Sequence, residues 1–478
     1  MIFSGLDLKN VKKKGMYLEN YFKNNIEQGI FPRNTKLPST RELAEILSVS
    51  RNTCIKVYNL LSEQDYLRFE KGKGTYVSYI KKEDENIEKI DYEKYMSTEA
   101  KRSLTEDFVK KSESIKISFK SIGPRGQIFF TNEIKKSFLR KISMEEGRLF
   151  SYGNAWGYPA LRTYFKKYME SKGVSMENRE ILITNGATEG ISLICEALIS
   201  EGDLVITESP THDASLKIIR HFKGDIIGID RNVDTLDLLL MEDIIKRLNP
   251  KFIFVIPSYH NPLGSVMTIE NRMDFLKLVE KYKIPVVEDG FSEELIESYG
   301  HPSPLVGLSN SNLITYVGSF SKVLFPGLRI GWVCADKKLI ESLVSLKRLR
   351  NLHTSYIDQS IMEDYLKQGD FKAYLKRVRN YYGEKKEFVE LVLNEELKEA
   401  KILGNNGIYV FLKLEVDVEK LLEECKSEGL DFTLGSEFYP DKSKSYGTIR
   451  LGISHLGKDE IREGIRIIKK CKDRLTYN

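Results

Sequence analysis

The sequence predicts two modules of different fold class. A small helix-turn-helix head with a hairpin wing precedes a large α/β module built on a mostly parallel sheet, with a smaller α+β lobe at its end. Three observations carry this. Charge is segregated: residues 1–78 hold 13 Lys+Arg against 8 Asp+Glu, whereas the remaining residues are balanced, so the whole excess of +5 sits in the first sixth of the chain. From about Ile115, short β-rich runs alternate with amphipathic helical stretches, the pattern of βαβ units. Between the two, residues 79–112 are dense in charge and contain no Pro or Gly, which fits a linker with little core of its own.

At 478 residues, with 41% hydrophobic and 30% charged content, the chain suits two or three globular domains. Apolar runs such as Phe252–Pro257 are far short of a membrane span, and the N-terminus shows no apolar signal core, so the expected location is the cytoplasm. Five scattered cysteines argue against a disulfide framework and a thiolate zinc site, and no metal is expected.

In the head, helical periodicity runs Met16–Gln28 and breaks at Gly29. Ser39 is the expected N-cap of a helix over Thr40–Leu47, and Ser50 caps a second one that opens with Arg51, Asn52 and Thr53. The first residues of the second helix of such a unit meet base edges in the major groove, and Arg, Asn and Thr are types that read them. Tyr66–Val77 reads as a hairpin around Lys71-Gly72-Lys73-Gly74, whose lysines reach phosphates. Taken singly, Arg51 could equally be a surface ion-pair residue.

In the large module, strands are expected at Glu180–Thr184, Leu204–Thr207, Phe252–Ile256, Pro285–Glu288, Leu313–Val317 and Ile330–Cys334. Beyond Leu346 come long helices, then Ile408–Leu414, Thr448–Ile453 and a basic C-terminal helix.

A pyridoxal-phosphate site needs a Schiff-base lysine, an acid at the pyridine nitrogen, phosphate donors, a flat group on the ring and a cation for a substrate carboxylate. Lys322 sits among Ser, Phe, Pro and Gly rather than other charges. Ser319, Ser321 and Arg329 flank it as phosphate donors. Asp289 ends an apolar strand, where α/β folds place chemistry; a helix N-cap is the alternative. Gly186, Ala187 and Thr188 open a helix whose backbone amides can approach a phosphate. Asn261 could bond the ring's phenolic oxygen or be a turn asparagine before proline.

The segments Gly29–Pro32 (GIFP), Leu37–Ala44 (LPSTRELA), Val49–Thr53 (VSRNT) and Gly74–Val77 (GTYV) resemble the winged helix-turn-helix of GntR-type bacterial regulators. The resemblance implies that Arg41 and Arg51 contact double-stranded operator DNA, with Thr53 and a wing residue near Gly72 assisting. Residues from about 115 to the end resemble fold-type I aminotransferases. The string Gly318–Trp332 (GSFSKVLFPGLRIGW) and the 33-residue interval from Asp289 to Lys322 fit the MocR/GabR-type regulators best, which join the same two modules in the same order. The implied domains are 1–78, a linker at 79–112, and 113–478. The resemblance also implies that Tyr152 reaches the neighbouring subunit's cofactor phosphate and that Arg450 holds an amino-acid carboxylate.

Two positions depart from the pattern. Phe291 stands where a tyrosine would hydrogen-bond the cofactor, and His212 stands where a larger aromatic would stack on it. Both lower the expected transamination. The expectation is therefore a PLP-binding transcriptional regulator, a head-to-tail homodimer, whose effector is an amino acid or PLP itself. The rival is a working aminotransferase carrying a DNA-binding domain.

Overall fold

The computed structural model describes residues 6, 8, 11–79, 90–98, 100–101, 115–124, 126, 131–232, 234–295, 302–368 and 371–477. The chain divides into two compact units, Met1–Arg102 and Ser103–Asn478. Of the expected linker, the described part includes one short 3-10 turn, Tyr92–Tyr95; residues 80–89 and 102–112 lie outside the described residues.

In the first unit, α1 (Lys14–Glu27) turns Leu18, Phe22 and Ile26 inward at helical spacing. Helix α2 (Thr40–Leu47) starts at Ser39 with a reciprocal capping box. Ser39 Oγ accepts from the Glu42 amide at 3.2 Å, and Glu42 Oε2 accepts from the Ser39 amide at 2.8 Å. The helix ends where Ser48 turns left-handed, φ 52°. Helix α3 (Arg51–Glu63) begins three residues later, with Ser50 Oγ accepting from the Thr53 amide at 3.1 Å. Tyr58, fully buried on α3, donates to the Pro38 carbonyl at 2.9 Å, which fixes α3 against the entry to α2. The wing is β2 (Leu67–Glu70) and β3 (Gly74–Val77), antiparallel. A strand unforeseen from sequence, β1 (Lys36–Leu37), adds to β3; two residues carry too little pattern to be read.

The second unit begins with β4 (Ile117–Ser118), then helices α4 (Thr131–Glu145) and α5 (Pro159–Ser171). The central sheet comprises β5 (Arg179–Thr184), β6 (Leu204–Ser209), β7 (Asp225–Asp230), β8 (Phe252–Val255), β9 (Val286–Asp289), β10 (Ile314–Ser319) and β11 (Gly331–Asp336). Their order is β5-β11-β10-β9-β8-β6-β7. All pairs are parallel except those of β11, which runs antiparallel to both neighbours. Strands β8 and β9 are buried at every residue, as a sheet covered on both faces requires. Strand β7 escapes sequence reading because Gly228 and two aspartates dilute its apolar run. That glycine is forced: a Cβ there would lie 2.8 Å from Ser209 Cβ.

Helices α6 (Gly186–Leu198), α7 (Asp213–His221), α8 (Leu238–Leu248), α9 (Ile269–Tyr282), α10 (Lys337–Asn351) and α11 (Tyr356–Gln368) complete this layer. The long α12 (Phe371–Glu396) leads into the smaller lobe. There, β12 (Lys401–Asn405), β13 (Tyr409–Lys413), β15 (Thr433–Leu434) and β16 (Thr448–Gly452) form an antiparallel sheet in the order β12-β13-β16-β15. Helices α13 (Val418–Ser427) and α14 (Lys458–Tyr477) pack over it around Val389, Leu421, Ile449, Ile465 and Ile468. Short β14 (Leu430–Asp431) pairs in parallel with β4, tying the start of the unit to its end. Several cations of α14 are spent within the lobe, Arg466 on Glu396 at 2.8 Å and Lys472 on Glu399 at 2.7 Å. All five cysteines are buried thiols. No described helix is long and apolar enough to cross a membrane.

Candidate functional site

Each unit carries its own site. On the head, the Ser50 cap starts α3 so that Arg51 and Asn52 fall in its first turn, both exposed. Arg41, in the first turn of α2, is exposed as well. Thr53 is half-buried: its hydroxyl shares a 2.8 Å hydrogen bond with Ser50 Oγ and its methyl faces Gly15 of α1. On the wing Lys71 and Lys73 are exposed, and Lys73 Nζ lies 3.9 Å from Glu70. Gly72 at φ 77° and Gly74 at φ 129° make the turn that projects these lysines, since L side chains rarely adopt such φ.

In the second unit, parallel order sends the carboxyl ends of β5, β6, β9 and β10 to one edge of the sheet, and the antiparallel β11 starts there. In the ladder Gly331 stands opposite both Ser319 and Thr184. Sequence-distant residues therefore converge at this edge: Gly186 after β5, Thr211 and His212 after β6, Asp289 ending β9, and Lys322 and Arg329 between β10 and β11. Such an edge is where open α/β sheets bind ligands.

Lys322 is the amine of the site. Burial, reinforced by the nearby Arg450 and Arg329 cations, brings its pKa down to about 8. An amine so placed loses its proton far more readily than an ordinary lysine, and its neutral fraction is nucleophilic. Asp289 is almost wholly buried, and burial pushes its carboxyl up to about 7, against the pull of the Phe291 amide. Asp289 is the last residue of β9 rather than the cap of a helix. The Phe291 ring lies 5.7 Å from Lys322 Nζ and faces the His212 imidazole nearly parallel, with ring centres 6.4 Å apart. His212 shares a 2.9 Å hydrogen bond with Ser215 Oγ, and burial lowers its pKa, so the ring is neutral at neutral pH.

A phosphate-sized corner lies beside them. Gly186, at φ 77°, opens α6, and Arg329 turns back towards it, donating from Nη2 to the Asn185 carbonyl at 3.4 Å. A Cβ on Gly186 would lie 2.6 Å from that Nη2, and one on Gly331 would lie 2.5 Å from the Gly186 carbonyl carbon. The amides of Ala187 and Thr188 stand in the first turn of α6, where no helical carbonyl meets them. Glu189 braces the turn, accepting from the Asn185 amide at 2.6 Å and pairing with Lys347 at 2.8 Å. Ser319 and Ser321 share a 2.7 Å hydroxyl contact at the end of β10.

Asn261 is fully buried, with Nδ2 lacking any hydrogen-bond partner among the described residues. Its Oδ1 accepts from Arg450 Nη1 at 3.3 Å. Arg450, on β16 of the smaller lobe, is 5% exposed. It lies over the Phe438 ring at 4.6 Å, and its other two hydrogen bonds, to Lys120 O and Thr433 Oγ1, are both 3.5 Å long. Its Nε has no partner among the described residues. Tyr152 stands apart, 89% exposed, its ring edge-on to His353 at 6.3 Å.

Sequence reasoning missed what lies behind the pocket. Glu208, ending in the β6 backbone, and Arg231 form an ion pair with no exposed side-chain surface. Glu208 also accepts from the Ile256 amide at 2.7 Å, and His260 Nε2 lies 3.3 Å away. This network holds the loop that presents Asn261, and the Glu208 charge contributes to raising Asp289. A charged residue closing an apolar strand was the available signal.

These residues fit pyridoxal phosphate. The orphaned Asn261 amide suits its phenolic oxygen, the Gly186–Arg329 corner suits its phosphate, and a buried, proton-sharing Asp289 suits its ring nitrogen. Bound there, the cofactor supplies an electron sink for carbanion chemistry.

Comparison with known proteins agrees. Residues 126–468 match the family model "Aminotransferase class I and II", and residues 18–77 match "Bacterial regulatory proteins, gntR family". The chain is 25% identical over 474 residues to the HTH-type transcriptional regulator YdfD of Bacillus subtilis, covering 96% of each chain. It is 25% identical to the HTH-type transcriptional regulator NorG of Staphylococcus aureus, covering 90% of this chain and 98% of that one. Among solved structures, the α-aminoadipate aminotransferase LysN of Thermus thermophilus superposes with a TM-score of 0.74 at 26% identity, over 81% of this chain and all of that one.

Proposed function

From a chain that belongs to the class I and II aminotransferase family and carries a GntR-family head, we propose a PLP-dependent transcriptional regulator. The head binds operator DNA, and the aminotransferase-like unit binds a small molecule. The observation that carries the reading is the combination on one chain of exposed, uncommitted Arg41 and Arg51 at two helix starts with the buried Lys322–Asp289 pair at the sheet edge. Lys322 ties the cofactor to the chain, Asp289 holds a proton at the ring nitrogen, Asn261 bonds the phenolic oxygen, and Gly186, Ala187, Thr188, Ser319, Ser321 and Arg329 receive the phosphate. Arg450, held buried beside Asn261, takes the carboxylate of an amino-acid effector, which favours that class of effector over PLP itself.

Further parts of the reading are these. The domains are 1–78 and 113–478, joined by a linker at 79–112. The protein acts in the cytoplasm, where its DNA is. It is a head-to-tail homodimer, in which the exposed Tyr152 completes the partner's phosphate site. Effector binding shifts the heads between two arrangements, which requires unequal affinity for the two. On the head, Asn52 and Thr53 read bases beside Arg51, while Lys71 and Lys73 meet phosphates.

The test is borohydride reduction of the purified protein followed by peptide mapping. The cofactor is expected on Lys322 alone and is lost in Lys322→Ala; label on another lysine overturns the assignment. A second reading, an active aminotransferase, draws on the lowered pKa of the Lys322 amine and on the buried Asp289. Turnover of about 1 s⁻¹ or faster with any amino and keto acid pair would favour it. The regulator reading expects slower turnover, since Phe291 makes no hydrogen bond to the ring and His212 offers less stacking area.

A further inference from the structure

One carboxylate in the pocket has no part in holding the cofactor. Asp213 follows His212 in the first turn of α7, a quarter exposed. An acid there favours the helix by itself. Its surroundings add more. The only described side chain within 4 Å bearing an ionisable nitrogen is His212, 3.9 Å away and held neutral by burial. The cations that feel Asp213 are those of the site: it favours the charged forms of both Lys322 and Arg450. The chain geometry explains this proximity. The Thr211 amide donates to the Phe438 carbonyl at 2.8 Å, so the start of α7 is tied to the segment whose ring lies against Arg450. His212 meanwhile faces Phe291 beside Lys322. Around this site lie polar groups that are nine-tenths buried and unpartnered among the described residues: Arg450 Nε, Asn261 Nδ2 and Thr211 Oγ1.

The charges then balance only with a particular effector. Resting on the reading above, the cofactor engages Arg329, Asp289 and Lys322. An α-carboxylate neutralises Arg450. Asp213 is left facing a neutral imidazole, and a partly buried carboxylate without a cation is unfavourable. We propose that the pocket takes an amino acid bearing a second, distal cationic group, such as a dibasic amino acid, with Asp213 as the counter-charge of that group. An acidic effector would place like charges together and is rejected by the same residue.

The experiment titrates the cofactor-loaded full-length protein with L-lysine, L-ornithine, L-norleucine and L-glutamate. Binding is read from the cofactor absorbance and from calorimetry. L-lysine or L-ornithine is expected to half-saturate at a concentration at least tenfold below L-norleucine, with L-glutamate weakest. In Asp213→Asn the tenfold preference for L-lysine or L-ornithine over L-norleucine disappears. Asp213→Ser, which also suits a helix start, serves as a second variant and is expected to behave alike. L-norleucine binding as well as L-lysine in the unaltered protein, or a preference that survives in both variants, overturns the proposal. If no amino acid changes the spectrum while borohydride still fixes the cofactor on Lys322, the amino-acid-effector reading itself fails, and the proposal falls with it.

Discussion

The two units solve recognition in opposite ways. In the head, the proposed recognition side chains Arg41, Arg51, Asn52, Lys71 and Lys73 stand in water on a scaffold whose core is nearly all apolar. In the large unit, Asp289, Asn261 and Arg450 are withdrawn from solvent, and the supporting Glu208 and Arg231 have no exposed side-chain surface. Burial there moves Asp289 up to about 7 and Lys322 down to about 8. The head therefore keeps binding separate from stability, whereas the pocket couples the two: groups tuned by desolvation cost the fold something, and removing their partners costs more.

The sharpest test of this contrast is Arg231→Ala. It strands Glu208 in the interior, and breaking such a pair typically costs about 3–5 kcal/mol. Urea unfolding should show the loss; a change below about 1 kcal/mol would mean that Glu208 relaxes to another partner. Next comes Lys322→Met in cofactor-free protein. A lysine lowered from 10.5 to about 8 burdens the folded state by about 3 kcal/mol at pH 7, so the variant should be more stable there by up to that amount. The sign follows from proton counts. Between pH 8 and 10.5 the unfolded chain keeps a proton that the folded chain has shed, so the unaltered protein gains stability as pH rises through that window. The variant lacks this gain. Asp289 acts oppositely, since its raised pKa makes stability fall as pH climbs from about 4 to about 7. Unfolding midpoints at pH 5, 7, 9 and 10.5 separate the two.

On the head, Arg51→Ala should cost about 1–3 kcal/mol at the operator and relax preference at one base. Stability should stay within about 0.5 kcal/mol, as for other exposed positions. Unchanged operator affinity would remove Arg51 from the reading set. The smallest expected effect is that of Lys73→Ala: weaker binding to all sequences alike, with the salt dependence reduced by about one counterion.

The same contrast governs how much was legible in the sequence. In the head, caps and periodicity coincide with the elements: Ser39 and Ser50 start helices at Thr40 and Arg51 as expected, and α1 begins two residues earlier than its apolar pattern. The six expected strands of the large sheet all form, because fully buried strands are written as continuous apolar runs. Strand β7 was hidden by a glycine that packing demands. In the pocket, Lys322, Asp289 and Arg329 were readable from local chemistry, whereas Arg450, and Tyr152 outside it, came only from family resemblance. Glu208, Arg231, His260 and Asp213 were not read at all. They act through neighbours 20 to 240 residues away, distances that no local pattern records; the charge of Glu208 in an otherwise uncharged strand is the local trace that was available.

The antiparallel strand β11 also sets an order in time. Strand β5 can pair only with β11, so Arg179 waits for Asp336 across roughly 150 residues of chain. At bacterial synthesis speeds of about 5–20 residues per second, that wait lasts on the order of 10–30 s. Throughout it, the edge of β5 is an unpaired, apolar ribbon of the kind that invites another chain to add to it. The phosphate corner cannot assemble until Gly331 has arrived beside Gly186. Until β11 is made, a nascent chain carries that edge open.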